Sequence, residues 1–128
     1  MVYGIGTDIV EIARIKAAIE KSGDRFLDRI FTADEQAAAN KREDKMRFYA
    51  LRWAAKEAAW KALSPGYQNG VGWHDLEVRP DDEGKPHLIF HGAAKDYFDE
   101  QTGGQGKTDL SLSDDGGMAL AFVVLSAP

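Results

Sequence analysis

Cysteine is absent from the chain, which excludes disulfides, thiolate metal sites and cysteine nucleophiles. No apolar run approaches the roughly 18 residues that a membrane span needs, and the opening Met1-Val2-Tyr3 lacks the basic region, apolar core and cleavage site of a secretory signal. Basic residues are not in excess either. Sixteen Lys and Arg stand against 21 Asp and Glu, a net charge of -5, which argues against a general nucleic-acid binder. Internal repeats and low-complexity segments are missing. The expectation is one soluble, cytoplasmic globular domain over residues 1–128, its core drawn from a 44% hydrophobic composition.

What the chain does have is an alanine-rich run, Arg52 to Leu63, with Glu57 between Trp53 and Trp60 and Lys61 directly after Trp60. Its composition predicts a helix that begins near Asp44, runs for about five turns and stops at Ser64-Pro65-Gly66. Glu57 and Lys61 are four residues apart and share a face, so spacing alone predicts a surface ion pair. Trp53, Glu57 and Trp60 fall on one stripe, and the tryptophans read first as core anchors that bury about 150–250 Å2 each. Arg52 and Lys56 are also four apart and read as a solvated edge of the same helix.

Upstream, Val2 to Thr7 alternates as a strand closed by Asp8, with Gly4 and Gly6 on one face and Tyr3 and Ile5 on the other. Ile12, Ile15 and Ile19 then recur at helical spacing up to a stop at Ser22-Gly23. Asp8 stands three residues before Glu11, and by itself this reads as a helix cap. Asp24 to Ile30 is a short helix or turn with Arg25 and Arg29 one turn apart. Thr32-Ala33-Asp34-Glu35 is a capping box that opens another helix, to about Lys41. Downstream, Tyr67 to His74 is a glycine-rich loop. Leu76–Arg79 and His87–His91 form one hairpin, Gly92–Glu100 a short helix, and Leu110–Ser113 with Met118–Leu125 a second hairpin at the centre of a sheet. The order predicts an α+β fold, a mostly antiparallel sheet packed on helices.

Several motifs fail on inspection. Gly4-Ile5-Gly6 opens like a dinucleotide fingerprint, but Ile9 takes the third glycine position. Gly103 to Thr108 resembles a phosphate loop, yet Gln101 stands where the first glycine belongs and a strand follows where a helix is required. His87 and His91 would be roughly 13 Å apart on one strand, too far to share an ion. No Gly-x-Ser-x-Gly frames a nucleophile. Asp8, Glu57 and Lys61 remain: two carboxylates suit a hard cation such as Mg2+ that shares its coordination with phosphate oxygens, and the lysine suits those phosphates.

Taken together, Gly4-Ile5-Gly6-Thr7-Asp8-Ile9-Val10-Glu11-Ile12 with Arg14-Ile15, Arg25-Phe26 with Arg29-Ile30, and Arg52, Ala54-Ala55-Lys56-Glu57-Ala58 and Lys61-Ala62 resemble the holo-acyl-carrier-protein synthases, the short 4'-phosphopantetheinyl transferases. Gly84-Lys85-Pro86 and the Leu112-Ser113 hairpin match as well, so the resemblance covers nearly the whole chain. It implies the 4'-phosphopantetheinyl transferase fold and transfer of phosphopantetheine from coenzyme A to a serine of apo-acyl carrier protein, with release of 3',5'-ADP, in support of fatty acid biosynthesis. It implies Asp8, Glu57 and Lys61 as the catalytic set, with Asp8 and Glu57 as Mg2+ ligands and Lys61 at the phosphates and a candidate for proton transfer at the incoming hydroxyl. Arg52 would lie near the 3'-phosphate of coenzyme A, and Ser64, Pro65 and Gly66 near its adenine. Arg14, Lys21, Arg25 and Arg29 would dock the acidic helix of the carrier protein. A homotrimer with sites between protomers is implied too. Two positions depart from the pattern: Ser64-Pro65-Gly66 replaces a frequent Gly-Thr-Gly, and Asp114 stands where many members carry histidine.

Overall fold

The alanine-rich run forms the longest helix of the chain, α4 (Lys45–Leu63), in a computed structural model that describes residues 1–128 except for the side chain of residue 68. The Asp44 side chain caps it by accepting from the Arg47 N–H at 3.1 Å, and Ser64 ends it in the left-handed region at φ 49°. Ala54, Ala55, Ala58, Ala59 and Ala62 are all buried, so neighbouring elements approach this helix from several sides.

Before α4 come β1 (Val2–Glu11), α1 (Ile12–Ser22), α2 (Asp24–Ile30) and α3 (Ala33–Ala39). After it come β2 (Leu76–Pro80), β3 (Pro86–Phe90), α5 (Gly92–Thr102), β4 (Lys107–Asp115) and β5 (Met118–Ser126). The strands form two antiparallel sheets, β1-β5-β4 and the hairpin β2-β3. This is the expected α+β class, with β5 at the centre of the larger sheet. The Thr32–Glu35 capping box forms in both directions, at 3.1 and 2.9 Å. Among the described residues no helix is long and apolar enough to cross a membrane.

One boundary differs from expectation and matters. β1 does not close at Asp8, because β5 supplies partners as far as Glu11, opposite Met118. Asp8 therefore sits inside the strand, opposite Ala121, and does not cap α1. That helix starts after Glu11 without a side-chain cap, and its first N–H, from Ile12, donates instead to Gly117 O at 2.9 Å.

The two-residue period of β1 puts Gly4, Gly6, Asp8 and Val10 on the face toward α4. A Cβ on Gly6 would lie 1.9 Å from Ala58 O, and one on Gly4 2.1 Å from Ala62 O, so the strand backbone rests directly on the helix backbone. Glycine is required here by close approach. Gly6→Ala is expected to force the elements apart, lower stability by about 3 kcal/mol and depress the melting temperature, as thermal unfolding would measure.

The Arg52 and Lys56 edge is not solvated. Lys56 is fully buried and Arg52 nearly so, because α3 and β2 close over that side of α4. Lys56 is tolerated there because its ammonium is 2.8 Å from Glu35 Oε1 and donates to Trp73 O at 3.0 Å and Leu76 O at 2.8 Å.

Candidate active site

Beyond the two glycines, the next residue on that face of β1 is Asp8, which the Lys61 side chain of α4 reaches. Lys61 Nζ donates to Asp8 Oδ1 at 3.1 Å and to Thr7 O at 3.0 Å. The i, i+4 ion pair expected from spacing does not form: among the described residues Lys61 has Asp8 as its ion-pair partner, and Glu57 has none. Glu57 is still part of the cluster. Burial pushes its carboxyl above the usual range, the Asp8 carboxylate pushes the same way, and Lys61 opposes them. Two carboxylates held close, one of them reluctant to ionise alone, form an arrangement that a cation would relieve.

Two protein carboxylates are few for a metal. No group of three or more potential His, Asp or Glu ligands occurs among the described residues. A hard cation at Asp8 and Glu57 would thus complete its shell from water or a phosphate, which is the habit of Mg2+. The histidines are engaged elsewhere, His87 with Asp81 and His91 with Glu77, each at 2.9 Å.

Glu57 also borders a cavity of about 340 Å3 whose other walls are Trp60, Tyr67, Val71, Gly72 and Trp73. Trp53, Glu57 and Trp60 do share a stripe, but the tryptophans are half-buried at its edge and are not wholly within the core. Trp60 lines the cavity beside Tyr67, ring centroids 6.2 Å apart. Trp53 lies stacked between Phe26 of α2 and Trp73, with centroids at 5.9 and 5.4 Å. The part of this wall from the loop, Val71 to Trp73, was not legible as a site in the sequence. Its only signal was an aromatic residue beside glycines.

The remaining predicted residues are spread more widely. Arg52 is 500° around the helix from Glu57, or 140° apart, at 100° per residue. Its guanidinium lies 4.1 Å above the Phe48 ring, and its buried Nε has no hydrogen-bond partner among the described residues. Burial lowers its pKa to about 10, Glu35 works against that and Arg42 adds to it, so Arg52 stays charged at neutral pH. Arg42, not anticipated from sequence, lies 5.1 Å from the same ring. Two cations around one buried, unsatisfied donor suit an anion.

Ser64, Pro65 and Gly66 form the turn after α4, fastened by Asn69 Nδ2 donating to Pro65 O. Arg14, Lys21, Arg25 and Arg29 are exposed on α1 and α2, and none takes part in an ion pair among the described residues. Arg25 and Arg29 flank a depression that includes Ser22 and Phe26. Asp114 accepts from Arg47 at 2.6 Å, and that guanidinium holds its carboxyl below the ordinary range against a small opposing desolvation.

Comparison with known proteins finds relatives along nearly the whole chain. Residues 4–120 match the model of the 4'-phosphopantetheinyl transferase superfamily. A holo-[acyl-carrier-protein] synthase of Rhodopseudomonas palustris (strain TIE-1) is 44% identical, the match covering 99% of this chain and 91% of the relative. One from Geobacter sp. (strain M21) is also 44% identical, with 98% of each covered. Among solved structures, the holo-[acyl-carrier-protein] synthase of Neisseria meningitidis superposes with a TM-score of 0.88 at 36% identity, over 98% of this chain and 99% of that one. The synthase from Bacillus anthracis, solved in complex with CoA (3',5'-ADP), gives 0.78 at 37% identity over 100% and 99%.

Proposed function

The chain belongs to the 4'-phosphopantetheinyl transferase superfamily, and within it to the holo-[acyl-carrier-protein] synthases; on that premise we propose that it carries 4'-phosphopantetheine from coenzyme A to a serine of apo-acyl carrier protein, with Mg2+, releasing 3',5'-ADP. The observation that carries this reading is the meeting of Asp8, Lys61 and Glu57 where β1 crosses α4, beside a cavity lined with aromatic rings. The serine oxygen forms a bond to the β-phosphorus, its proton passing to solvent, as the bond from that phosphorus to the bridging oxygen breaks and 3',5'-ADP departs with that oxygen. Asp8 and Glu57 hold the metal in this reading. Bound Mg2+ supplies neutralisation of the pyrophosphate charge.

Lys61, already drawn to Asp8 and Thr7 O, is placed to turn toward phosphate oxygens once Asp8 is engaged by the cation. Arg52, with Arg42 beside it, suits the 3'-phosphate, and the Ser64-Pro65-Gly66 turn suits the adenine. Arg14, Lys21, Arg25 and Arg29 offer uncompensated positive charge to an acidic carrier surface. The same reading makes the protein one domain acting in the cytoplasm in support of fatty acid biosynthesis. Incubation with apo-carrier protein, coenzyme A and Mg2+ should raise the carrier mass by one phosphopantetheine. No adduct across several carrier proteins would defeat the proposal.

Metal binding has its own readout. The raised pKa of Glu57 means that its ionisation disfavours the metal-free fold: that contribution is fully present at low pH and is lost as pH rises through the raised value. Mg2+ binds the ionised pair and reverses the loss. Saturating Mg2+ is therefore expected to raise the melting temperature by about 3 °C or more at about pH 7.5 and scarcely at all near pH 4. An equal shift at both values would count against the carboxylate pair as ligands.

A homotrimer belongs to the same proposal. The face of the β1-β5-β4 sheet away from α4 exposes Ile5 (61%), Ile9 (59%) and Phe122 (42%), an apolar surface that a second copy would cover. Light scattering should give three times the chain mass, and Phe122→Asp should yield monomers. A monomeric parent protein would remove this part of the proposal.

A further inference from the structure

We propose that Lys56, together with Glu35, is a positioning residue that holds the Trp73 wall of the cavity at a fixed separation from Glu57 and so sets how well coenzyme A fits. The inference rests on the reading of that cavity as part of the coenzyme A site. An ammonium has three N–H donors, and Lys56 uses them on Glu35 Oε1, Trp73 O and Leu76 O, at 2.8, 3.0 and 2.8 Å. The two carbonyls flank the single 3-10 turn at Trp73–Asp75 that ends the loop and leads into β2.

Glu35 is satisfied in its turn. Its Oε1 accepts from the Thr32 N–H at 2.9 Å and its Oε2 from the Val78 N–H at 3.0 Å, so α3, α4 and the start of β2 are joined at one point. A buried ion pair of this kind contributes little net stability compared with apolar side chains of the same volume. What it supplies is direction, because hydrogen bonds locate the carbonyls whereas a methylene chain would only fill the space.

Lys56 and Glu57 are adjacent on α4 and so point about 100° apart. The same helical turn therefore presents Glu57 to the cavity and holds the backbone of the opposite wall from beneath. Trp73 is further steadied by its stack on Trp53, and the next residue, His74, by a 2.6 Å hydrogen bond between Nε2 and Asp28 O of α2. The wall is thus a short segment fastened at successive residues, and Lys56 is the fastening that refers it to the helix carrying Glu57.

The test uses Lys56→Met/Glu35→Gln, which removes both charges and keeps the volume, and Trp73→Leu, which keeps the clamp and shortens the wall. Both are expected to raise the KM for coenzyme A and its Kd by calorimetry about tenfold, with kcat changed less than about threefold and the KM for carrier protein unchanged. Leu125→Ala, destabilised in the core away from the wall, should leave the KM for coenzyme A as it was. A folded double variant with the parent KM and Kd overturns the inference. If the double variant does not fold, a parent-like KM and Kd in Trp73→Leu overturns it equally. Failure of the parent protein to load any carrier would strike the proposed function, while the calorimetric comparison still decides the role of Lys56.

Discussion

Glu57→Gln is expected to slow phosphopantetheine transfer by about three orders of magnitude, about 4 kcal/mol of transition-state stabilisation, measured from the rate at which carrier protein gains mass. Glutamine keeps the shape and removes the charge that the cation needs. The metal-free variant should melt no lower than the parent protein. Burial first, and the Asp8 carboxylate after it, raise the Glu57 pKa, so the ionised form is unfavourable there without a cation, and the amide relieves that cost. Loss of activity without loss of stability is the signature sought. A rate within tenfold of the parent would remove Glu57 from the metal site.

Lys56→Met should do the reverse to stability, lowering it by about 3–5 kcal/mol in urea unfolding, since it leaves Glu35 buried without its cation or obliges it to take up a proton. The comparison that gives this number meaning is Lys61→Met. The Lys61 side chain is 51% exposed and its pair with Asp8 is near the surface, so its removal is expected to cost less than about 1 kcal/mol while affecting transfer strongly. Two lysines five residues apart on one helix thus separate cleanly, one by stability and one by chemistry. Equal stability losses from the two substitutions would contradict the burial difference between them.

The sequence carried much of this because local rules were strong where they applied. Thr32-x-x-Glu35 predicted a capping box that forms in both directions, and the alanine-rich run with Ser64-Pro65-Gly66 predicted α4 and its end. Local rules misled at Asp8, where a cap pattern competed with strand pairing that only β5, more than a hundred residues away, makes available. They misled again at Lys56, because four-residue spacing describes which side chains share a face and says nothing of what covers it. Here α3 and β2 cover it. The site itself was legible chiefly by resemblance: Asp8 and Glu57 are 49 residues apart in a chain that gives no local sign of joining them. Gly4-x-Gly6-x-Asp8 was the available hint, since residues two apart in a strand face one way and only glycines permit so close an approach.

That contact has a further consequence for how the enzyme can vary. The gap between β1 and α4 is bounded by main-chain atoms on both sides, at Gly4 against Ala62 and Gly6 against Ala58. No side chain acts as a spacer there, so there is nothing to trim. Substitution at either glycine lengthens the reach from Asp8 to the helix and none shortens it. The separation of the two backbones is therefore at its lower bound, and change elsewhere in the core tunes what surrounds Asp8 and Glu57 more readily than it draws strand and helix together.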